Sequence, residues 1–411
     1  MAILLREDTE IKFPKMYRVT QKFNNHELTD VTHTLTNQLE KMNSTVKFKK
    51  GDKVAIAIGS RGIHKLDLVV KAVVDHIKTS GAEPFILTAM GSHGNGTKEG
   101  QLEILTSLNI TEKFLDIDIV SSVEVEKIRT TGEGIPVYFD SVALGADYII
   151  PINRIKIHTD FIGRIQSGLS KMLVIGLGNH KGCSAIHEVA PEYFADVLIE
   201  ASEIIKEKAN VPFGIGIVEN AYGRPLKIET IKGKDFVAGE SALVEICKNN
   251  MPRLMVDNID ILIVEEIGKN ISGAGFDPNV IGRSPMLKKY IMPIPKIGKM
   301  ILLGLTRESY GNAIGAGLFD FMLKDVFDEM DLDSMYANSL ACKSIEDSKI
   351  PMLARHEKEA VCMAIKASRG IDRDNLRIVK IKNTSELGEI QVSEAYLDEI
   401  KTNNKMEISY W

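Results

Sequence analysis

The chain has 411 residues, 44% of them hydrophobic, and a formal net charge of −5 at pH 7. That length can bury two or three cores, and the acidic balance, with a pI near 6.1, leaves no basic surface broad enough for nucleic acid. Cys183, Cys247, Cys342 and Cys362 are scattered without a CxxC pair, which reads as reduced thiols rather than a disulfide framework or zinc site. No basic segment followed by an apolar stretch opens the chain, and no uninterrupted apolar run is long enough to span a bilayer. The expectation is a soluble cytoplasmic protein with no membrane partner.

Lys53–Ile58 is a nearly continuous apolar run, as in a strand buried on both faces, and it ends in Gly59-Ser-Arg-Gly62. Leu66, Val69, Val70, Val73, Val74 and Ile77 then fall on one helical face, and Gly81 ends that helix. Residues 84–88 predict the next strand, followed by Gly91-Ser-His-Gly-Asn-Gly96. Thr97 is placed to cap a helix carrying Leu102, Ile104, Leu105 and Leu108. Two successive strand–helix units predict a parallel, right-handed α/β sheet. Further strands are expected at 148–152, 213–218, 259–264 and 300–305, with no internal repeat or long linker. The polar stretch 249–258, with Pro252, divides an N-terminal α/β domain (1–253) from a C-terminal one (254–411). Helices at 357–368 and 393–401 and a strand at 376–381 belong to the second.

In an open parallel sheet, ligands bind beyond the carboxyl ends of the strands. On this reading Arg61, His93 and His158 project from three strand ends into one crevice. The run from His158 to His187 is the densest in chemistry, combining imidazoles, Lys171 and many small residues. Familiar signatures fail. In Gly91–Lys98 the threonine precedes the lysine, which breaks the phosphate-loop order; Gly176-Leu-Gly178-Asn-His-Lys-Gly182 has one residue too many for a dinucleotide fingerprint; Gly214-Ile-Gly216 lacks its third glycine. Neither HExxH nor GxSxG occurs. His180 and His187 lie about 10 Å apart along a helix axis and cannot chelate one ion together from a straight helix.

The strings Ala55-Ile-Ala-Ile-Gly-Ser-Arg-Gly-Ile, Ala89-Met-Gly-Ser-His-Gly, Asn153-Arg-Ile-Lys-Ile-His-Thr-Asp-Phe and Ser167-Gly-Leu-Ser-Lys-Met together resemble the lactate racemase family. These are nickel-pincer-nucleotide-dependent 2-hydroxyacid racemases and epimerases. The resemblance implies two α/β domains with the active site in the cleft between them. It also implies a pyridinium-3,5-bisthiocarboxylic acid mononucleotide carrying nickel through sulfur and carbon. By motif, Lys171 in the Ser167-Gly168-x-x-Lys string is the attachment lysine, with Ser167 and Gly168 at the cofactor. The family's nickel histidine follows that lysine by sixteen positions, and 187 − 171 = 16 implies His187. His93 and His158 are implied as paired acid and base, Arg61 as the carboxylate grip, and Lys269, by a looser match, as a second substrate contact. His158 and Lys171 are thirteen apart, longer than in the lactate enzymes, and Ile58 stands where those enzymes have an aspartate three before the arginine. These departures point to a divergent branch acting on a larger or sugar-derived 2-hydroxy acid.

The chemistry asks for such residues. Hydrogen on C2 beside a carboxylate leaves more easily as hydride, given an electrophilic ring to accept it and a base for the hydroxyl proton. A flat 2-keto acid can take hydride back on either face, so two histidines are needed, and arginine fixes the plane by gripping the carboxylate bidentately. Nickel suits imidazole with soft sulfur. Plainer readings stand beside these. Lys171 amid Leu169, Met172 and Leu173 could snorkel from an amphipathic helix. His187 could lie on a helix surface, with His180 as competing ligand, and the polar loop from Lys269 to Arg283 could be a structured turn. His26, His33, His64, His76 and His356 are read as ordinary histidines. Two other functions fit the same fold: a nicotinamide-dependent 2-hydroxyacid oxidoreductase, and a non-catalytic nickel or nucleotide binder. The implied partner is a small 2-hydroxy acid; oligomeric state is not encoded.

Overall fold

A computed structural model describes residues 4–409. It forms two compact units: one runs from Asn25 to Met251, and the described residues before Asn25 join those from Pro252 onward in the other. The first strand, β1 (Met16–Gln21), therefore belongs with the C-terminal sheet. A linear division at 253 assigns that strand to the N-terminal domain instead.

In the unit from Asn25 to Met251 the strands are β2 (Lys53–Ile58), β3 (Glu83–Thr88), β4 (Ile119–Val120), β5 (Val125–Thr130), β6 (Pro136–Asp140), β7 (Tyr148–Arg154), β8 (Phe213–Glu219) and β9 (Pro225–Lys232). Six form one sheet in the order β4-β3-β2-β7-β8-β9, while β5 and β6 make a separate hairpin. Pairing is parallel from β4 to β8, as the strand–helix periodicity predicts, and β9 turns back antiparallel on β8. The helix Leu66–Thr79 joins β2 to β3 and buries all six residues of its predicted apolar face. Thr97 caps Lys98–Ser107 by accepting from Gly100 N–H at 3.1 Å. The glycines of Gly214-Ile-Gly216 have a packing reason. A Cβ at Gly214 would lie 2.9 Å from Phe236, and one at Gly216 2.8 Å from Leu243, so both admit the helix Phe236–Asn250 onto the sheet.

The second unit adds β10 (Ile259–Val264), β11 (Ile297–Leu302), β12 (Phe321–Leu323), β13 (Met352–Ala354), β14 (Ile378–Ile381), β15 (Glu389–Ser393) and β16 (Met406–Ser409). The sheet order is β13-β12-β11-β10-β14-β15-β1-β16. Its first five strands are parallel and the last three antiparallel. The antiparallel strands escape the sequence reading because they are short and half-solvated, with no continuous apolar run. β11 starts earlier than predicted, since its first residues, Ile297-Gly-Lys, are not buried. Ser393 closes β15, and the helix expected from it begins only at Leu397. Among the described residues no helix is long and apolar enough to cross a membrane.

Candidate active site

β3, β2 and β7 are neighbours in the sheet, so the loops leaving their carboxyl ends lie side by side. Those loops carry His93, Arg61 and His158. His93 is exposed, and its Nδ1 shares a short hydrogen bond with Ser60 Oγ, tying the loop after β3 to the one after β2. Arg61 is half-buried; burial first, and the neighbouring Arg154 second, lower its pKa from the ordinary arginine value. Arg154 itself pairs with Glu219 at 2.6 Å.

The loop after β7 turns back on itself. Lys156 and Ser167 exchange two backbone hydrogen bonds of 3.0 Å, and Asn153 Nδ2 donates to Gly168 O at 2.9 Å. This closure absorbs the long interval between His158 and Lys171, and Lys171 Nζ lies 2.6 Å from His158 Nε2. His158 is held at three points: its backbone N–H donates to Gln166 Oε1, its ring Nδ1 accepts from Asp160 N–H at 3.0 Å, and the ring stacks on Phe161 at 4.2 Å. Burial holds the imidazolium well below the usual histidine range, and the charges of Lys171, His187, Lys156 and Arg61 push the same way.

Lys171 ends a single helical turn, Leu169–Lys171, and the chain continues as a π-turn, Met172–Gly176. The amphipathic helix considered for this lysine is therefore not regular, and π-turns recur at functional sites. A Cβ at Gly176 would lie 2.7 Å from the Ala89 carbonyl, and Gly176 O accepts from Gly91 N–H, so the π-turn seats directly on the loop bearing His93. The helix Asn179–Ile186 follows, with His180 exposed near its start and His187 as its C-cap. His187 Nδ1 is 2.7 Å from Cys183 O and 3.6 Å from Cys183 Sγ. Burial opposes charge on both partners, but their mutual contact draws the Cys183 thiol down and the His187 imidazole up. Phe194 meets His187 edge-on at 5.4 Å and Phe161 at 4.7 Å, which completes a ladder from His158 to His187.

Glu240 carries no family signature. It is 2% exposed on the helix Phe236–Asn250 and accepts from Ser170 N–H at 3.1 Å and from Ser170 Oγ–H. A Cβ on Gly168 would lie 2.2 Å from its carboxylate, which explains that glycine as a close approach. Glu240 falls on the same helical face as Phe236, Leu243, Val244 and Cys247, so an acid in an apolar stripe was the signal available. Ser167 gives both its backbone groups to the Lys156 bridge. Lys269 belongs to the other compact unit, where its Nζ donates to Gly273 O and Asn338 Oδ1 and its N–H to Ser309 Oγ. In the same loop Asp277 caps the turn Pro278–Ile281 and Arg283 pairs with Asp320. His356 caps the helix Glu357–Ala367.

Residues 4–193 match the family model described as the lactate racemase N-terminal domain. That stretch is similar to the N-terminal domain of the lactate racemase family. The whole chain also superposes on a solved structure of the lactate racemase apoprotein from Thermoanaerobacterium thermosaccharolyticum, with a TM-score of 0.53 and 14% identity. The match covers 94% of this chain and 96% of that one, and at this identity it is a likeness of fold. No curated protein sequence matches the chain. The racemase-like site residues named above, except Lys269, all lie in the unit from Asn25 to Met251.

Proposed function

We propose that this protein is a 2-hydroxyacid racemase or epimerase of the cytoplasm, inverting C2 of its substrate by reversible hydride transfer to a nickel-pincer nucleotide. The observation that carries this reading is the pairing of two tethers of different chemistry. Lys171 Nζ is hydrogen-bonded to the implied acid/base histidine, and His187 has its Nδ1 directed at a backbone carbonyl. A histidine that donates Nδ1–H to a carbonyl keeps its lone pair on Nε2, which is how metal-binding imidazoles are oriented. Among the described residues no three His, Cys, Asp or Glu side chains gather to hold a metal. A nickel ion held mainly by soft donors of its own cofactor asks the protein for a single nitrogen, and imidazole suits that metal.

When bound, that group supplies an electrophilic ring able to take up and return the C2 hydrogen with its electron pair. Arg61 grips the substrate carboxylate through its fork, and partial burial strengthens that contact over its value in water. His93 and His158 hold and move the hydroxyl proton, one on each side of the substrate. His158, neutral and with Nδ1 already accepting from Asp160 N–H, carries its hydrogen on Nε2 and is set to donate. Lys269 as a further substrate contact rests on the family resemblance alone. The test is a screen of lactate and sugar-derived 2-hydroxy acids in deuterium oxide, using protein made in a cofactor-producing host. Inversion with little deuterium at C2 is expected, because the hydrogen stays with the cofactor; rapid deuterium uptake there would mean proton abstraction and refute the hydride route.

A further inference from the structure

We infer that, before any cofactor is attached, His158 holds Lys171 as an unprotonated amine, ready for acylation. A neutral imidazole has one N–H and one acceptor nitrogen, whereas an ammonium group has three donors and no acceptor. Asp160 N–H donates to His158 Nδ1 at 3.0 Å, so the ring's hydrogen is on Nε2. Nε2 lies 2.6 Å from Lys171 Nζ. An ammonium there would set N–H against N–H; a neutral amine offers a lone pair and accepts. Turning the ring over would break the Asp160 N–H bond to Nδ1, and the stack on Phe161 opposes tilting it out of plane.

The basic neighbours act in the same direction, while the Cys183 thiol, drawn down in part by the Lys171 charge, opposes them. Arg61, Lys156 and His187 all bear on His158, so a further cation on Lys171 would join a group of like charges. The acid beside the ring, Asp160, is 4.0 Å from Nδ1, on the side away from Lys171, and its side chain is 38% exposed. Burial together with those cations also disfavours a second proton on the ring. Glu240 fixes the turn from below by accepting from Ser170, the residue before Lys171.

A consequence follows for the order of events. Acylation delocalises the nitrogen's lone pair, so Nζ stops accepting and the His158 Nε2–H is released. His158 thus becomes available to a substrate oxygen only after Lys171 has been modified. That second role rests on the proposed racemase reading; the state of the amine does not.

The experiment uses full-length protein purified without cofactor and the N-hydroxysuccinimide ester of acetic acid as probe. The acetyl carbon bonds to Nζ, the ester C–O bond breaks, hydroxysuccinimide leaves as its anion, and the amine proton passes to water. Acetylation is followed residue by residue through peptide masses. Ordinary lysines should react roughly 100-fold faster at about pH 9 than at about pH 7, tracking their neutral fraction. Comparing one lysine with itself across pH cancels its accessibility. Lys171 is expected to change less than about threefold over that interval in the wild type, and to regain the steep dependence in His158→Ala. A steep wild-type profile at Lys171 overturns the inference, whatever the variant does. A flat profile that persists in a His158→Ala protein with native circular dichroism assigns the effect to burial and overturns the role of His158. A flat wild-type profile stands even if no 2-hydroxy acid proves to be a substrate.

Discussion

Glu240→Gln tests the support beneath Lys171. Burial pushes the Glu240 carboxyl from 4.5 up to about 7, against hydrogen bonds from Ser170 and Leu169 that favour its charge. The folded protein therefore keeps a proton on Glu240 over a window in which the unfolded chain has released it. More protons bound in the folded state means that stability falls as pH rises through that window. The interval from 4.5 to about 7, at about 1.36 kcal/mol per pH unit, comes to about 3 kcal/mol. Glutamine keeps the side chain's size and an acceptor for Ser170 but does not titrate. Urea midpoints for both proteins at steps from about pH 4 to about pH 8 should converge at the acid end, and Glu240→Gln should gain up to about 3 kcal/mol over the wild type at the basic end. Parallel curves across the whole range would show that this carboxyl does not titrate in the folded state as its burial requires.

His93→Ala should lower turnover by about two to four orders of magnitude while cofactor content, read by nickel analysis, is retained; His158→Ala should lower turnover at least as far and also slow formation of the Lys171 adduct. Loss of nickel from His158→Ala protein that still carries the Lys171 adduct would make that residue a ligand instead. Arg61→Lys keeps the charge but loses the fork, so carboxylate binding should weaken by about 1–3 kcal/mol, seen mainly in KM. Lys171→Ala should abolish the cofactor mass adduct and nearly all activity with an unchanged unfolding midpoint, whereas His187→Ala should permit the adduct but release nickel to a chelator. An adduct mapping to a peptide without Lys171, or a fully active Lys171→Ala protein free of nickel, would sink the cofactor assignment.

What the sequence made legible follows from which signals survive without tertiary context. The six apolar positions from Leu66 to Ile77 and the run Lys53–Ile58 are strong because both elements bury whole faces, and they placed the loops carrying Arg61, His93 and His158 at adjacent strand ends. β1, β15 and β16 were not legible, because a short half-solvated strand looks like any polar segment until its partner from the far end of the chain is known. The role of β1 in the C-terminal sheet was hidden for the same reason. Around the site, Lys171 was visible but its π-turn was not, since Met172–Gly176 has the composition of an ordinary buried helix. Phe161 and Phe194, which connect His158 to His187, read as core aromatics and became site residues only through geometry.

The interval of thirteen between His158 and Lys171 shows why spacing alone is a poor ruler for a site. Counted along the chain, it is longer than the resemblance to the lactate enzymes implies. In three dimensions residues 157–166 lie within a loop closed by the Lys156–Ser167 bridge, and the two side chains meet at 2.6 Å. The interval of sixteen between Lys171 and His187 is spanned differently, by a π-turn and a short helix seated on the loop of His93 through Gly176. Both tethers are thus referenced to the ends of β3 and β7, neighbours on either side of β2. A change of length in the loop closed by the Lys156–Ser167 bridge can be absorbed there without moving Lys171 or His187. The loop 157–166 and the pair Lys171 and His187 therefore fall on physically separate parts of one short stretch of chain.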